Sequence, residues 1–148
     1  MSKVVDPASY ATTLHVRDHC LCLHAQRAAR VLARRFDEAM RPAGITSGQF
    51  SLLNGLNRPE PPTIGAVADL LAMDRSTVTA NLKPLERRGA VTLAVDAKDR
   101  RGRRVALTEV GRALLAEATP IWVREHGVLE AELDGAAETL RAGLRRLG

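Results

Sequence analysis

Aromatic side chains are scarce in this chain of 148 residues: one Trp, one Tyr and two Phe, 3% of the total. The core must therefore be aliphatic, and the abundance of Ala, Leu, Arg and Glu favours helices. Cysteine is nearly absent. Two thiols, Cys20 and Cys22, exclude a disulfide framework, and two residues apart on a helix they point away from each other. No run of 18 apolar residues is present, which excludes a membrane helix as an expected partner of the bilayer. The start of the chain lacks the basic, apolar, small-residue order of a secretory signal, so the expected location is cytoplasmic. Also missing are a phosphate-binding glycine loop, a Gly-x-Ser-x-Gly elbow and a paired zinc motif, while the carboxylates are scattered over helical patterns. No enzyme, cofactor or metal is expected on these grounds. There is no internal repeat and no low-complexity tract.

What the chain does have is localised positive charge. The formal net charge is +5, and residues 98–104 hold five basic side chains and one acidic, whereas residues 125–138 are mostly acidic or apolar. A concentrated basic patch favours a polyanionic partner. Ahead of it, Asp74 is placed to cap a helix by accepting from the N–H of Ser76 or Thr77, and Gly89 is placed to stop it. Val78, Leu82 and Leu85 fall on one face of that helix, leaving Arg75, Ser76, Thr77, Thr79, Ala80 and Lys83 on the other. This outer face carries many donors and few carboxylates, the composition expected of an element lying in a DNA major groove. Pro84 lacks the donor for the carbonyl of Ala80, so a bend is expected there.

Order along the chain supports a winged helix-turn-helix. Residues 1–11 read as a loose arm with Pro7. Leu14, Leu21, Ala25, Ala28, Leu32, Phe36 and Met40 then trace one long amphipathic helix ended by Pro42 and Gly44. Thr46 or Ser47 begins the next helix, with Gln49 placed for a capping box, and it stops near Asn57. Arg58-Pro59-Glu60-Pro61-Pro62 is a rigid turn. Thr63 caps a helix from Ile64 to Leu71, and the short break Leu71-Ala72-Met73 leads to the helix at Asp74. Val91–Val95 and Arg103–Leu107 flank a polar tip and make a hairpin, the wing. Thr108 caps a helix carrying Leu114, Leu115, Ala118, Ile121, Trp122 and Leu129. Pro120 should bend that helix near Ala116, and Trp122 is expected in the core. A last helix with Leu140, Leu144 and Leu147 starts at Asp134 or Gly135.

The expected fold is thus mainly α with a small β-hairpin wing: a winged helix-turn-helix core flanked by N- and C-terminal dimerisation helices. It is read as a single domain, 1–148, with the DNA-binding lobe over 45–108 and dimerisation helices over 12–41 and 109–148. The outer helices carry apolar stripes that the small core cannot cover, so a homodimer is expected. A two-fold dimer presents two recognition helices and reads pseudo-palindromic double-stranded DNA with half-sites about 10 bp apart or a multiple of it.

Several segments, in order and over nearly the whole chain, resemble the MarR family of bacterial transcriptional regulators. They are Asp99-x-Arg101 with Leu107-Thr108 after five intervening residues and Gly111 beyond, Asp74-Arg-Ser-Thr-Val-Thr, and Leu85-Glu-Arg-Arg-Gly-Ala-Val91. The resemblance implies a homodimer that binds operator DNA, usually represses, and releases DNA when a small-molecule effector enters between the DNA-binding lobe and the dimer helices. By the same resemblance Arg75, Ser76, Thr77, Thr79 and Lys83 match groove-facing positions, Arg101 matches a wing arginine that approaches the minor groove, and Asp99 matches the carboxylate that orients it. Arg100, Arg103 and Arg104 are expected to hold phosphates or face solvent.

His15, His19, Cys20, Cys22 and His24 form a second cluster, holding three of the four histidines and both thiols. On a helix His15, His19 and Cys22 share a face and could bind zinc, although no fourth ligand is identifiable. The bland alternative is polar or packing residues at a pocket or dimer seam. A redox reading competes: organic-hydroperoxide sensors in the resembling family carry a reactive cysteine in the first helix, near the place of Cys22. Gln26 and Phe36 stand where those sensors use tyrosines, while a protonated His19 would favour a thiolate. From a different class, the chain could be a winged-helix module that docks on another protein and uses its basic residues only for solubility.

Overall fold

The computed structural model describes residues 7–148, which form seven α-helices and one hairpin. Two compact units divide the chain, the first up to Arg35 and the second Phe36–Gly148.

In the first unit helix α1 spans Pro7–His19 and α2 begins at Leu21, continuing to Met40. This corrects the expectation of a loose arm followed by one unbroken helix. Among the described residues the chain is already helical at Pro7. Residues 1–6 of the expected arm lie outside the described residues. The interruption is confined to Cys20, and the hydrogen-bond ladder crosses it: Cys20 N–H donates to Val16 O at 2.9 Å and His24 N–H to Cys20 O at 3.1 Å.

The second unit builds the winged helix. Gly44 (φ 69) closes a 3-10 turn over Arg41–Ala43, and the chain reverses into α3, Ser47–Leu56. The expected capping box is present, with Thr46 as the cap: Thr46 Oγ1 accepts from Gln49 N–H at 3.1 Å and Thr46 N–H donates to Gln49 Oε1 at 3.0 Å. Asp37 Oδ1 accepts from both the N–H and the hydroxyl of Ser47, each at 2.7 Å, fastening the end of α2 to the start of α3. Thr63 caps α4, Ile64–Leu71, as read from the sequence. Ala72 then takes a left-handed conformation (φ 51), and Met73 and Asp74 lead to α5, Arg75–Arg87. Pro84 does not end α5, which runs past it to Arg87.

Strands β1 (Val91–Val95) and β2 (Arg103–Leu107) pair antiparallel, Val91 opposite Leu107 and Val95 opposite Arg103. The outer edge of β2 is covered by the proline turn, because Val105 N–H donates to Pro62 O at 2.9 Å and Thr63 bridges to Arg104. Helix α6, Glu109–Glu132, starts where Thr108 Oγ1 accepts from Gly111 N–H at 3.1 Å, and it continues through Pro120. The last helix, α7, is Ala137–Arg145, later than expected. Asp134 (φ 47) and Gly135 (φ 83) are both left-handed and form the turn rather than the helix start. One aliphatic core joins these elements, with Met40, Leu52, Leu53, Val67, Val78, Leu82, Leu85, Val91 and Val105 fully buried.

Candidate nucleic-acid interface

Helix α5 is anchored by one face and presents the other. Val78, Leu82 and Leu85 are buried at 1% exposure or less, while Ser76, Thr77, Thr79 and Lys83 are all exposed on the opposite side. Asp74 occupies the N-cap position with extended backbone, yet its carboxylate accepts no capping hydrogen bond, contrary to the sequence expectation. The side chain is exposed, so water competes for it on equal terms, and only its charge favours the helix start. Thr79 Oγ1 donates to Arg75 O at 2.9 Å, which leaves its lone pairs and methyl group to face outward. Arg75 lies back over the first turn of α4: a Cβ added to Gly65 would meet Arg75 Nη2 at 3.0 Å.

The wing tip, residues 96–102, is set by two aspartates. Asp99 Oδ1 accepts from the backbone N–H of Arg101 at 3.0 Å, so it fixes the loop that carries Arg101 rather than the guanidinium itself. Asp96 makes the matching turn two residues long with Lys98 N–H at 3.1 Å. Arg100 and Arg101 are exposed on this tip, and Arg103, the first residue of β2, is exposed beside it. Arg104, expected to meet phosphate or solvent, instead turns inward: Nε donates to Asp96 Oδ1 at 3.0 Å and Nη1 to Pro61 O at 2.7 Å. The bond from Arg104 is the chief reason the Asp96 carboxyl is held below its ordinary value. Sequence reasoning missed Asp96. The available signal was the repeated Asp-x-Lys and Asp-x-Arg spacing of turn-forming aspartates around the tip.

A second feature, an open cleft of about 520 Å³, lies among α3, the turn after it, the end of α4 and α6. Phe50, Leu70, Leu71 and Trp122 give it apolar walls, and Asn54 and Arg58 supply polar groups. Trp122 is 36% exposed, not buried in the core as expected. It stacks on His126 with centroids 4.5 Å apart and lies 6.4 Å from Phe50, forming a wall of the cleft.

The histidine and cysteine cluster lies in the first unit. His15 and His19 stack at 4.3 Å, and His19 Nδ1 and His24 Nδ1 each meet a backbone carbonyl four residues back, at 2.9 Å and 2.8 Å. Cys20 is half-buried and Cys22 exposed, and Gln26 Nε2 donates to Cys22 Sγ at 3.4 Å. Among the described residues no three His, Cys, Asp or Glu side chains are arranged to hold a metal ion, so the zinc reading of His15, His19 and Cys22 is not supported.

Against known proteins, residues 43–102 match a model of the MarR family. The chain is 34% identical to the M. tuberculosis transcriptional regulator MosR, solved in complex with DNA; the likeness covers 87% of this chain and 93% of MosR, with a TM-score of 0.75. The chain belongs to the MarR family. Its winged helix therefore serves a transcriptional regulator, not an enzyme. Among other MarR-like proteins, the transcriptional activatory protein BadR of Rhodopseudomonas palustris is 32% identical over 87 residues, 57% of this chain. That match spans half the length of BadR. Bordetella bronchiseptica BpsR, whose DNA binding is regulated by 6-hydroxynicotinic acid, is 25% identical over 85% of this chain and 96% of its own, with a TM-score of 0.72. Among the described residues of this MarR-family chain no helix is long and apolar enough to cross a membrane.

Proposed function

We propose that this MarR-family regulator acts in the cytoplasm as a homodimer on a pseudo-palindromic operator, with α5 of each protomer in the major groove and each wing tip at the adjacent minor groove. The observation that carries this reading is a single core that holds both the donor-rich face of α5 and the arginine-bearing tip. On α5, Ser76, Thr77, Thr79 and Lys83 are assigned to the groove, with Arg75 swinging off Gly65 to join them. On the wing, Arg101 is assigned to the minor groove, where a narrow channel concentrates negative potential and a guanidinium desolvates more readily than an ammonium. Arg100 and Arg103 contact phosphates.

The dimer is supported by apolar side chains left exposed in each unit: Tyr10, Val16, Leu21 and Val31 in the first, and Val123, Val128, Leu140, Leu144 and Leu147 in the second. A small-molecule effector enters the Trp122 cleft and shifts the lobe so that the operator is released, making the protein a ligand-responsive repressor. BpsR, whose DNA binding is regulated by 6-hydroxynicotinic acid, supports a regulation of this kind.

Gel-shift titration against the DNA upstream of its own gene tests the reading. A specific complex at moderate salt is expected, weakened about tenfold or more by Arg101→Ala. Weak binding to every DNA, abolished by modest salt, would mean that the winged helix docks on protein instead. A second reading rests on the exposed Cys22 thiol with its Gln26 donor: oxidation there by a hydroperoxide loosens operator binding. Peroxide should then weaken the wild-type complex and spare Cys22→Ser; an equal response of both rejects it.

A further inference from the structure

Asp96 is the buried charged side chain of the described residues, 6% exposed, and it sits at the root of the wing tip. Besides accepting from Arg104 Nε and Lys98 N–H, its own N–H donates to Gly102 O at 3.1 Å, closing the loop it begins. Gly102 lies so close that an added Cβ would stand 3.6 Å from Asp96 Cβ. Arg104 continues the connection outward from the loop, through Nη1 to Pro61 O at 2.7 Å, while Val105 N–H holds Pro62 O at 2.9 Å. One guanidinium thus joins the tip to the rigid proline turn.

Five basic side chains crowd residues 98–104, and such a loop, left to itself, spreads by self-repulsion. A fixed carboxylate beneath it opposes that spreading, and a planar fork reaching two acceptors fixes an angle that a flexible ammonium would not. With Asp96 buried and Arg104 a third exposed, the pair is a candidate device for holding one conformation rather than a source of net stability. We infer that Arg104 and Asp96 are positioning residues for DNA reading: without touching nucleic acid, they clamp the wing tip to the Pro61 turn at the angle from which Arg101 reaches the minor groove. This rests on the operator-binding role proposed above.

Charge and position predict opposite signs, which makes the inference testable. Removing the Asp96 carboxylate makes the wing more basic, so electrostatics alone would tighten DNA binding. Replacing Arg104 by Lys keeps the charge, so a phosphate contact would survive. Operator affinity is measured by fluorescence anisotropy for wild type, Arg101→Ala, Asp96→Asn, Arg104→Lys and each of the last two combined with Arg101→Ala, with far-UV circular dichroism melts to establish folding. Clamping predicts that Asp96→Asn and Arg104→Lys each lose about tenfold in affinity, and that adding Arg101→Ala then costs less than about twofold, because the arginine is already misplaced. Wild-type or tighter binding by Asp96→Asn, or a full Arg101→Ala effect retained in the Asp96→Asn or Arg104→Lys background, overturns the inference while the operator-binding role stands. Should Asp96→Asn fail to fold, the Arg104→Lys pair decides alone by the same two criteria. A wild-type protein that forms no operator complex overturns both.

Discussion

At the scale of single residues, roles divide between side chains that face outward and those that hold them. Arg101 and Arg104 are three positions apart and look alike in sequence, yet one is exposed and the other is tied to Asp96 and Pro61. Strand alternation alone does not separate them, since the decisive partners lie 8 and 43 residues away. Gly111 is the reverse case, a residue whose lack of a side chain is its contribution. A Cβ there would meet Ala90 O at 2.2 Å, where the first turn of α6 crosses the turn between α5 and β1. Gly111→Ala is therefore expected to destabilise the fold by about 1–3 kcal/mol, toward the upper end, through overpacking against backbone that cannot yield. Thermal unfolding measures it, and an unchanged melting temperature would mean that α6 can slide away from Ala90. Trp122 was misplaced by the sequence for a related reason. A lone large apolar residue on a helix reads as core, and only the three-dimensional arrangement leaves it 36% exposed beside Phe50 and His126.

At the scale of elements, local chemistry explains most boundaries. Thr46, Thr63 and Thr108 each begin a helix by accepting from the N–H three residues on, and each is readable because a hydroxyl precedes an apolar periodic run. Signals failed where conformation rather than composition set the boundary. Asp134, read as a helix start, is left-handed, and Cys20 interrupts a helical pattern that has neither Pro nor Gly at that point. Ala72 in the turn of the helix-turn-helix also has a left-handed backbone, φ 51, which disfavours a side chain. Ala72→Gly removes that strain at some cost in unfolded-state entropy, so a net gain of about 0.5–1 kcal/mol is expected. A lower melting temperature for Ala72→Gly would show that the turn has no strain to release. The order of helices from α3 onward and the two strands of the wing were legible, because periodicities of 3.6 and 2 separate cleanly on either side of Gly89.

At the scale of the whole molecule, α6 and α7 are joined by charge more than by burial. Arg141 donates to Glu130 Oε1 at 2.6 Å and to Glu138 Oε2 at 2.9 Å, and Arg145 reaches Glu138 Oε1 at 2.6 Å. Hydrogen bonds from Arg141 hold the Glu130 carboxyl below its ordinary 4.5, and those from Arg145 and Arg141 do the same for Glu138. A lowered folded-state pKa adds stability that is present above the unfolded value and lost as pH falls through the folded one. The contact between α6 and α7 should thus be indifferent to pH from 7 down to about 4.5 and loosen only below it. Melting temperatures across that range should fall less steeply in acid for Glu130→Gln than for wild type, and identical acid limbs would contradict the assignment. Because α7 has no buried residue of its own, its Leu140 and Leu144, with Leu147 just beyond it, remain for a second protomer to cover. Two-fold pairing makes the central claim a statement about geometry on DNA. Hydroxyl-radical and methylation footprinting of the operator complex tests it most directly. The account predicts two major-groove footprints about 10 bp apart or a multiple of it, each flanked by minor-groove protection that Arg101→Ala removes while leaving the major-groove marks in place. A single unpaired footprint, or minor-groove protection unchanged in Arg101→Ala, would contradict it.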